Sequence, residues 1–188
     1  MHPETNLTMG RVLARAWSDP EFKTRLLAGP KAALRELGIG LPDGLDIVAR
    51  ENSAKTVHLA ISAPPVAVPK SAFSDIRDFG ETYRDPRLWP LNWIARDPPA
   101  TARLVADPLG ELGRLGVRAP KGLAVVMLAN TAAVAHLILP PKPPARHCTP
   151  RLFERLAAGH APAALRFGRL LGAGPYNTLI AALSGERS

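Results

Sequence analysis

The sequence predicts an α+β fold made of two copies of a helix–helix–β-hairpin unit, followed by a helical C-terminal tail. Three observations predict it. An internal repeat lays Asp19–Ile61 over Asp97–Leu139 without a gap at a shift of about 78 residues, with about 17 of 43 positions identical where chance gives about three. Each copy carries apolar residues at helical spacing, then two short apolar runs around a polar Asn turn. The composition is that of a globular chain, 188 residues with 46% hydrophobic and 21% charged. At this length a core can take up roughly 70% of the unfolded surface.

In the first copy Asp19 precedes Pro20, the N-cap and first-turn pair of a helix whose Phe22, Leu26 and Leu27 share a face. Gly29-Pro30 interrupts it and starts a second helix, with Ala33, Leu34 and Leu37 on the apolar side and Gly38 as the left-handed stop. The second copy repeats this with Asp97-Pro98, then Asp107-Pro108 followed by Leu109, Leu112, Leu115 and Gly116. Leu34/Leu112 and Leu37/Leu115 are expected in the core. Pro42-Asp43-Gly44 and Pro120-Lys121-Gly122 are turns in which Pro fixes φ and Gly accepts a positive φ.

Each turn is followed by β-like sequence. Leu45, Ile47 and Thr56–Ile61 are read as one hairpin around Glu51-Asn52-Ser53. Leu123–Leu128 and Val134–Leu139 are read as another around Asn130-Thr131. Pro64-Pro65 and Pro140-Pro141 then end the ladders. Val66–Pro90 lacks strong periodicity, and Pro140–Pro144 forms a connector. In the tail, Thr149-Pro150 opens a helix with Leu152, Phe153 and Leu156 on one face and Gly159 at its end. A second amphipathic stretch, Ala163–Leu171, breaks at Gly172, Gly174 and Pro175. The expected organisation is a body over 1–141, with repeat units at about 19–65 and 97–141, and a connector with basic helical tail over 142–188.

Several function classes fall away on composition. A single Cys excludes a disulfide framework and any multi-thiolate metal site. No run reaches the roughly 18 apolar residues of a spanning helix, and the N-terminus lacks a basic-then-apolar signal pattern. A cytoplasmic protein is expected. The net charge is +8, but residues 1–70 and 71–143 each carry nine Lys/Arg against seven Asp/Glu, leaving six Arg against two Glu in the tail. No basic cluster is interleaved with aromatics, so no nucleic-acid partner is expected. His58 and His136 fall at equivalent strand positions and are read as half-buried strand histidines. In Arg146-His147-Cys148-Thr149 the thiol neighbours an imidazole, but adjacent side chains rarely align as nucleophile and base, so Cys148 is read as an exposed connector thiol. No catalytic residue, cofactor or metal ligand is expected.

Arg11–Lys23, containing Trp17-Ser18-Asp19-Pro20, resembles the N-terminal helix region of the nitrile hydratase α-subunit family. Arg25-Leu26-Leu27, Glu36-Leu37-Gly38, Glu51-Asn52 and Val57-His58 continue the likeness in order. Trp89-Pro90, Trp93, Asp107-Pro108, Gly116, Pro120 and His136–Pro140 resemble the C-terminal half of the same subunit. The first copy, with Thr56–Leu59 and then Pro64-Pro65, is also similar to the nitrile-hydratase-type leader peptides of ribosomally made natural products. The resemblance implies a non-haem iron or non-corrin cobalt held by a Cys-x-x-Cys-Ser-Cys segment a few residues beyond His58. Here that segment reads Leu59-Ala60-Ile61-Ser62-Ala63-Pro64-Pro65, with no cysteine. A low-spin trivalent metal needs soft thiolate donors, so hydratase chemistry is not expected.

Two functions remain at this point. One is a non-catalytic leader or precursor-type protein of a bacteriocin-like peptide pathway, gripped by a peptide-modifying enzyme or a transporter-protease, with export of a C-terminal peptide. Small residues after the apolar anchors Phe167 and Leu170 make Gly172 and Ala173 the candidate processing site. The other is a metal-free pseudoenzyme that pairs with a β-subunit-like protein, with Leu152, Phe153 and Leu156 as the interaction helix.

Overall fold

The computed structural model describes residues 3–62, 97–131, 133–158 and 179. The expectations for Val66–Pro90, Trp89, Trp93, Gly159, Ala163–Leu171, Gly172 and Ala173 lie outside the described residues.

Helices start where a capping residue meets proline. α1 (Pro3–Ser18) is followed by α2 (Pro20–Ala28), and the Asp19 carboxylate between them accepts the Phe22 N–H at 2.9 Å. Pro30 then opens α3 (Pro30–Glu36). In the second half α4 spans Pro98–Ala106 and α5 spans Pro108–Arg114, with the Asp107 carboxylate accepting the Gly110 N–H at 3.0 Å. Asp97 holds the N-cap position of α4 without a side-chain capping bond. Gly38 and Gly116 end α3 and α5 with φ of 72° and 79°, the left-handed backbone that makes glycine the natural residue there. Further on, a short 3-10 turn at Ala145–His147 leads into α6 (Pro150–Ala157), capped by Thr149 Oγ1 on the Leu152 N–H at 3.2 Å.

The four strands among the described residues are β1 (Asp46–Glu51), β2 (Thr56–Ser62), β3 (Ala124–Asn130) and β4 (Val134–Leu139). They form no hairpin. β1 pairs with β4 and β2 with β3, both in parallel, so each two-stranded sheet takes one strand from each half of the chain. This corrects the helix–helix–hairpin reading. The turn chemistry supplies the reason. The connecting segment Asn52–Lys55 holds no glycine, and no described non-glycine residue takes a positive φ, so the tight primed turns that most favour a hairpin are not used there. Side chains instead take the donors that a hairpin ladder would use. Asn52 Oδ1 accepts the His58 N–H at 2.7 Å, and Ser53 Oγ accepts the Thr56 N–H at 3.0 Å. Asn130 Oδ1 and Thr131 Oγ1 do the same for His136 (2.9 Å) and Val134 (3.0 Å). Each Asn turn is therefore an arch that carries the chain from one sheet to the other.

The registers of the two sheets correspond. Asp46 faces Val134 in one and Ala124 faces Thr56 in the other, and these residues occupy matching positions of the repeat.

One face of each sheet is buried under helices, and two apolar clusters result. The first packs Ile47, Ala49, Leu137 and Leu139 against Val12, Leu13, Trp17, Phe22, Leu26 and Leu34, with Leu156 of α6 closing it. The second packs β2 and β3 against Leu104 and Leu112, together with Leu179. Leu34 and Leu112 are both fully buried, as expected. The expectation for Leu37 and Leu115 needs correction: Leu37 is partly buried and Leu115 is 39% exposed. Each is the C-cap residue, one position beyond its helix. The buried apolar residues after these caps are Ile39 and Val117. Leu109 is exposed as well, because α5 is seven residues long and Leu109, Leu112 and Leu115 fan over about 120° of its circumference. Among the described residues no helix is long and apolar enough to cross a membrane.

Candidate functional site

The segment that the family resemblance assigns to metal begins inside β2. Leu59, Ala60 and Ile61 are buried, and Leu59 and Ile61 lie in the second apolar cluster. Buried aliphatic strand residues offer a metal no donor. Among the described residues no three His, Cys, Asp or Glu side chains converge so as to hold an ion. Cys148 sits beyond β4, half-buried, with its Sγ 3.2 Å from the Pro143 carbonyl oxygen, the thiol donating. The residues present therefore do not fit a tri-thiolate iron or cobalt centre.

What this chain has beside that segment is a matched pair of Asn–His brackets. Asn52 Oδ1 lies 3.1 Å from His58 Nδ1, and Asn130 Oδ1 lies 2.9 Å from His136 Nδ1. The backbone N–H bonds to the same oxygens fix which end of each amide is the acceptor. Each ring nitrogen facing it must then be Nδ1–H, and the lone pair of the neutral ring sits on Nε2. Burial pushes both imidazoles below the ordinary histidine value, and the Arg50 guanidinium pushes in the same direction. For His58 the Glu51 backbone carbonyl opposes this. The two brackets differ in one respect. Asn52 Nδ2 reaches the His58 carbonyl at 3.4 Å, whereas Asn130 Nδ2 is buried without a partner among the described residues.

The structure thus places His58 and His136 as half-buried strand residues, in keeping with their sequence reading. It does not bring Cys148 to them as part of any three-residue donor set. The candidate interaction helix is engaged within the chain: Leu156 is fully buried, and Leu152 and Phe153 pack at the edge of the first cluster. α6 lies close against α1, and a Cβ at Gly10 would overlap the Leu156 carbonyl oxygen.

Three features escaped the sequence reading. The Asn residues were legible as turn formers, but not their bonds to histidine. Glu111, nearly buried, is held between Arg103 and Arg114, a trio signalled only by a carboxylate inside an apolar helix. Leu179 in the second cluster carried no signal beyond its apolar neighbours.

Comparisons with known proteins agree with the fold. The family model described as nitrile hydratase, alpha chain, matches residues 2–75. The low-molecular weight cobalt-containing nitrile hydratase subunit alpha of Rhodococcus rhodochrous is 32% identical over 134 residues, 71% of this chain and 57% of that protein. The chain thus spans a little over half the length of this curated relative. Polytheonamide B from a bacterial symbiont of Theonella swinhoei is 34% identical over 70 residues, 34% of this chain and 48% of that protein. Among solved structures, a double His-to-Ala mutant of the Fe-type nitrile hydratase from Comamonas testosteroni Ni1 aligns with a TM-score of 0.56 at 23% identity, over 82% of this chain and 66% of that one. By its sequence matches this chain is nitrile-hydratase-α-like, and the structural likeness gives it the same kind of fold.

Proposed function

We propose that this protein is a non-catalytic, nitrile-hydratase-α-like leader or precursor-type protein of a ribosomally synthesised, modified peptide pathway. The observation that carries the reading is the run Leu59–Pro65, where apolar strand residues and two prolines stand in place of the thiolate segment. The similarity to Polytheonamide B supports it, alongside the leader-like Thr56–Leu59 and Pro64-Pro65. On this reading the body is a duplicated unit that serves as a recognition handle, and the matching strand registers support the duplication. A peptide-modifying enzyme or transporter-protease grips it and acts at Gly172-Ala173.

Two measurements test this. Protein purified after growth with iron and cobalt is expected to contain neither at stoichiometric level. About one Fe or Co per chain in elemental analysis would sink the non-catalytic reading. The intact mass of the chain from its producing cell is expected to show a trimmed or modified tail.

One observation favours a second reading. Leu156 and Leu179 each occupy an apolar cluster, so these two tail residues pack into the body. A metal-free pseudoenzyme bound to a β-subunit-like partner accounts for such a tail. An unmodified chain that co-purifies with one stoichiometric partner selects this alternative.

A further inference from the structure

Neither half of the chain closes its own core. The first half brings α1, α2 and α3 with β1 and β2, and the second brings α4, α5 and α6 with β3 and β4. β2 belongs to the first half, yet its Val57, Leu59 and Ile61 pack in one cluster with Leu104 and Leu112 of the second. β4 belongs to the second half, yet its Leu137 and Leu139 pack in the cluster of Trp17, Phe22 and Leu34 of the first, and Leu156 of α6 joins them there. Among the described residues no strand pairs within its own half. Each half therefore presents strand edges and apolar residues whose complement is the other half.

Two further facts decide which partner fits. In the repeat Asp46 corresponds to Ala124 and Thr56 to Val134, so exchanging the halves carries one ladder onto the other. Such an interface is close to self-complementary, as in a two-fold dimer. In sequence the halves are joined once, through residues 63–96. A second copy can thus supply the missing half with both ladders and both clusters kept, and only the course of that one connection changed.

We propose that this protein forms a reciprocally exchanged dimer, in which β1 and β2 of each copy pair with β4 and β3 of the other. The partner that the half-chain surface fits is a second copy of this chain. In dilute solution the tethered half has the advantage, because it acts at an effective concentration on the order of 1 mM. Exchange gains as the chain concentration approaches that value. This inference does not rest on the precursor reading.

The test refolds the full chain from urea at about 1 μM and at about 1 mM and reads its mass by light scattering. The dimer fraction is expected to rise at least about tenfold with concentration. The dimer should persist on dilution, because leaving it requires both ladders to break. Copies with Arg50→Cys and copies with Ile138→Cys, all with Cys148→Ser, then report the pairing. Arg50 faces Ile138 in the β1/β4 register, and neighbouring strands about 5 Å apart lie within disulfide reach. Refolded together at the high concentration, the two kinds of copy are expected to become linked through positions 50 and 138. Leu115→Cys in place of Ile138→Cys should give no such link, since Leu115 is exposed beyond α5 in the other unit.

A chain that stays monomeric at both concentrations, or a dimer in which position 50 links to 138 no more readily than to 115, overturns the proposal. An untrimmed, unmodified chain in the producing cell counts against the precursor reading and leaves this inference untouched.

Discussion

At the scale of single residues, His58 and His136 set a pH dependence whose sign follows from their burial. Both imidazoles titrate below the ordinary value of about 6.5. As pH falls through that value the unfolded chain takes up protons that the folded chain refuses, so stability is lost on the acid side and is complete above it. Protonation keeps the Nδ1–H bond to each Asn and adds charge beside Arg50, so repulsion and desolvation are what destabilise. The urea midpoint is expected to fall from pH 7 to pH 5, and His58→Gln with His136→Gln to flatten that fall. A midpoint that rises towards pH 5 contradicts this assignment. Asp19, held low by the Phe22 N–H, and Glu111, held low by Arg103 and Arg114, act in a separate window below the ordinary carboxylate range of about 4. Packing at this scale separates leucines that look alike in the repeat. Leu34→Ala or Leu112→Ala is expected to cost about 2–5 kcal/mol, and Leu115→Ala less than about 1 kcal/mol. Chemical denaturation at constant slope reads both values.

At the scale of elements, the helices were legible because their signals are local. A capping Asp or Thr before Pro opens α2, α5 and α6, Gly29-Pro30 opens α3, and Gly38 and Gly116 end α3 and α5, all signals that act within a few residues. The strands were legible as strands. Their partners were not, because pairing is a tertiary choice that the residues at Asn52–Lys55 only bias, by offering no glycine for a tight turn. The candidate site divides in the same way. The missing thiolates could be read directly from Leu59–Pro65, while the Asn–His brackets required the arches that fold each Asn onto its histidine. Leu156 illustrates the remaining limit: its helical stripe was clear, but only the structure shows that α1 occupies it. Gly10 makes that contact possible by letting the α6 backbone approach. Gly10→Ala is expected to push α1 and α6 apart and cost about 1–3 kcal/mol, despite the better helix propensity of alanine. An unchanged or raised urea midpoint would mean that α6 does not sit on α1 in solution.

At the scale of the whole molecule, the two halves cannot be separated along the sequence. Among the described residues β1 finds its ladder only in β4 and β2 only in β3, so each sheet joins residues some 70 to 90 positions apart. The arches tighten this coupling. Asn52 continues the β1/β4 ladder through its N–H to the Leu139 carbonyl at 2.8 Å, and the same residue holds β2 through His58. Loss of one sheet therefore removes the anchor of the other, even though the two apolar clusters are distinct. The clusters are expected to unfold as one cooperative unit. Differential scanning calorimetry should give a single peak whose calorimetric and van't Hoff enthalpies agree. Leu34→Ala in the first cluster and Leu112→Ala in the second should both move that one peak, although the residues share no contact cluster. Two resolved peaks, each displaced by only one of the variants, would show that the strand exchange does not couple the halves.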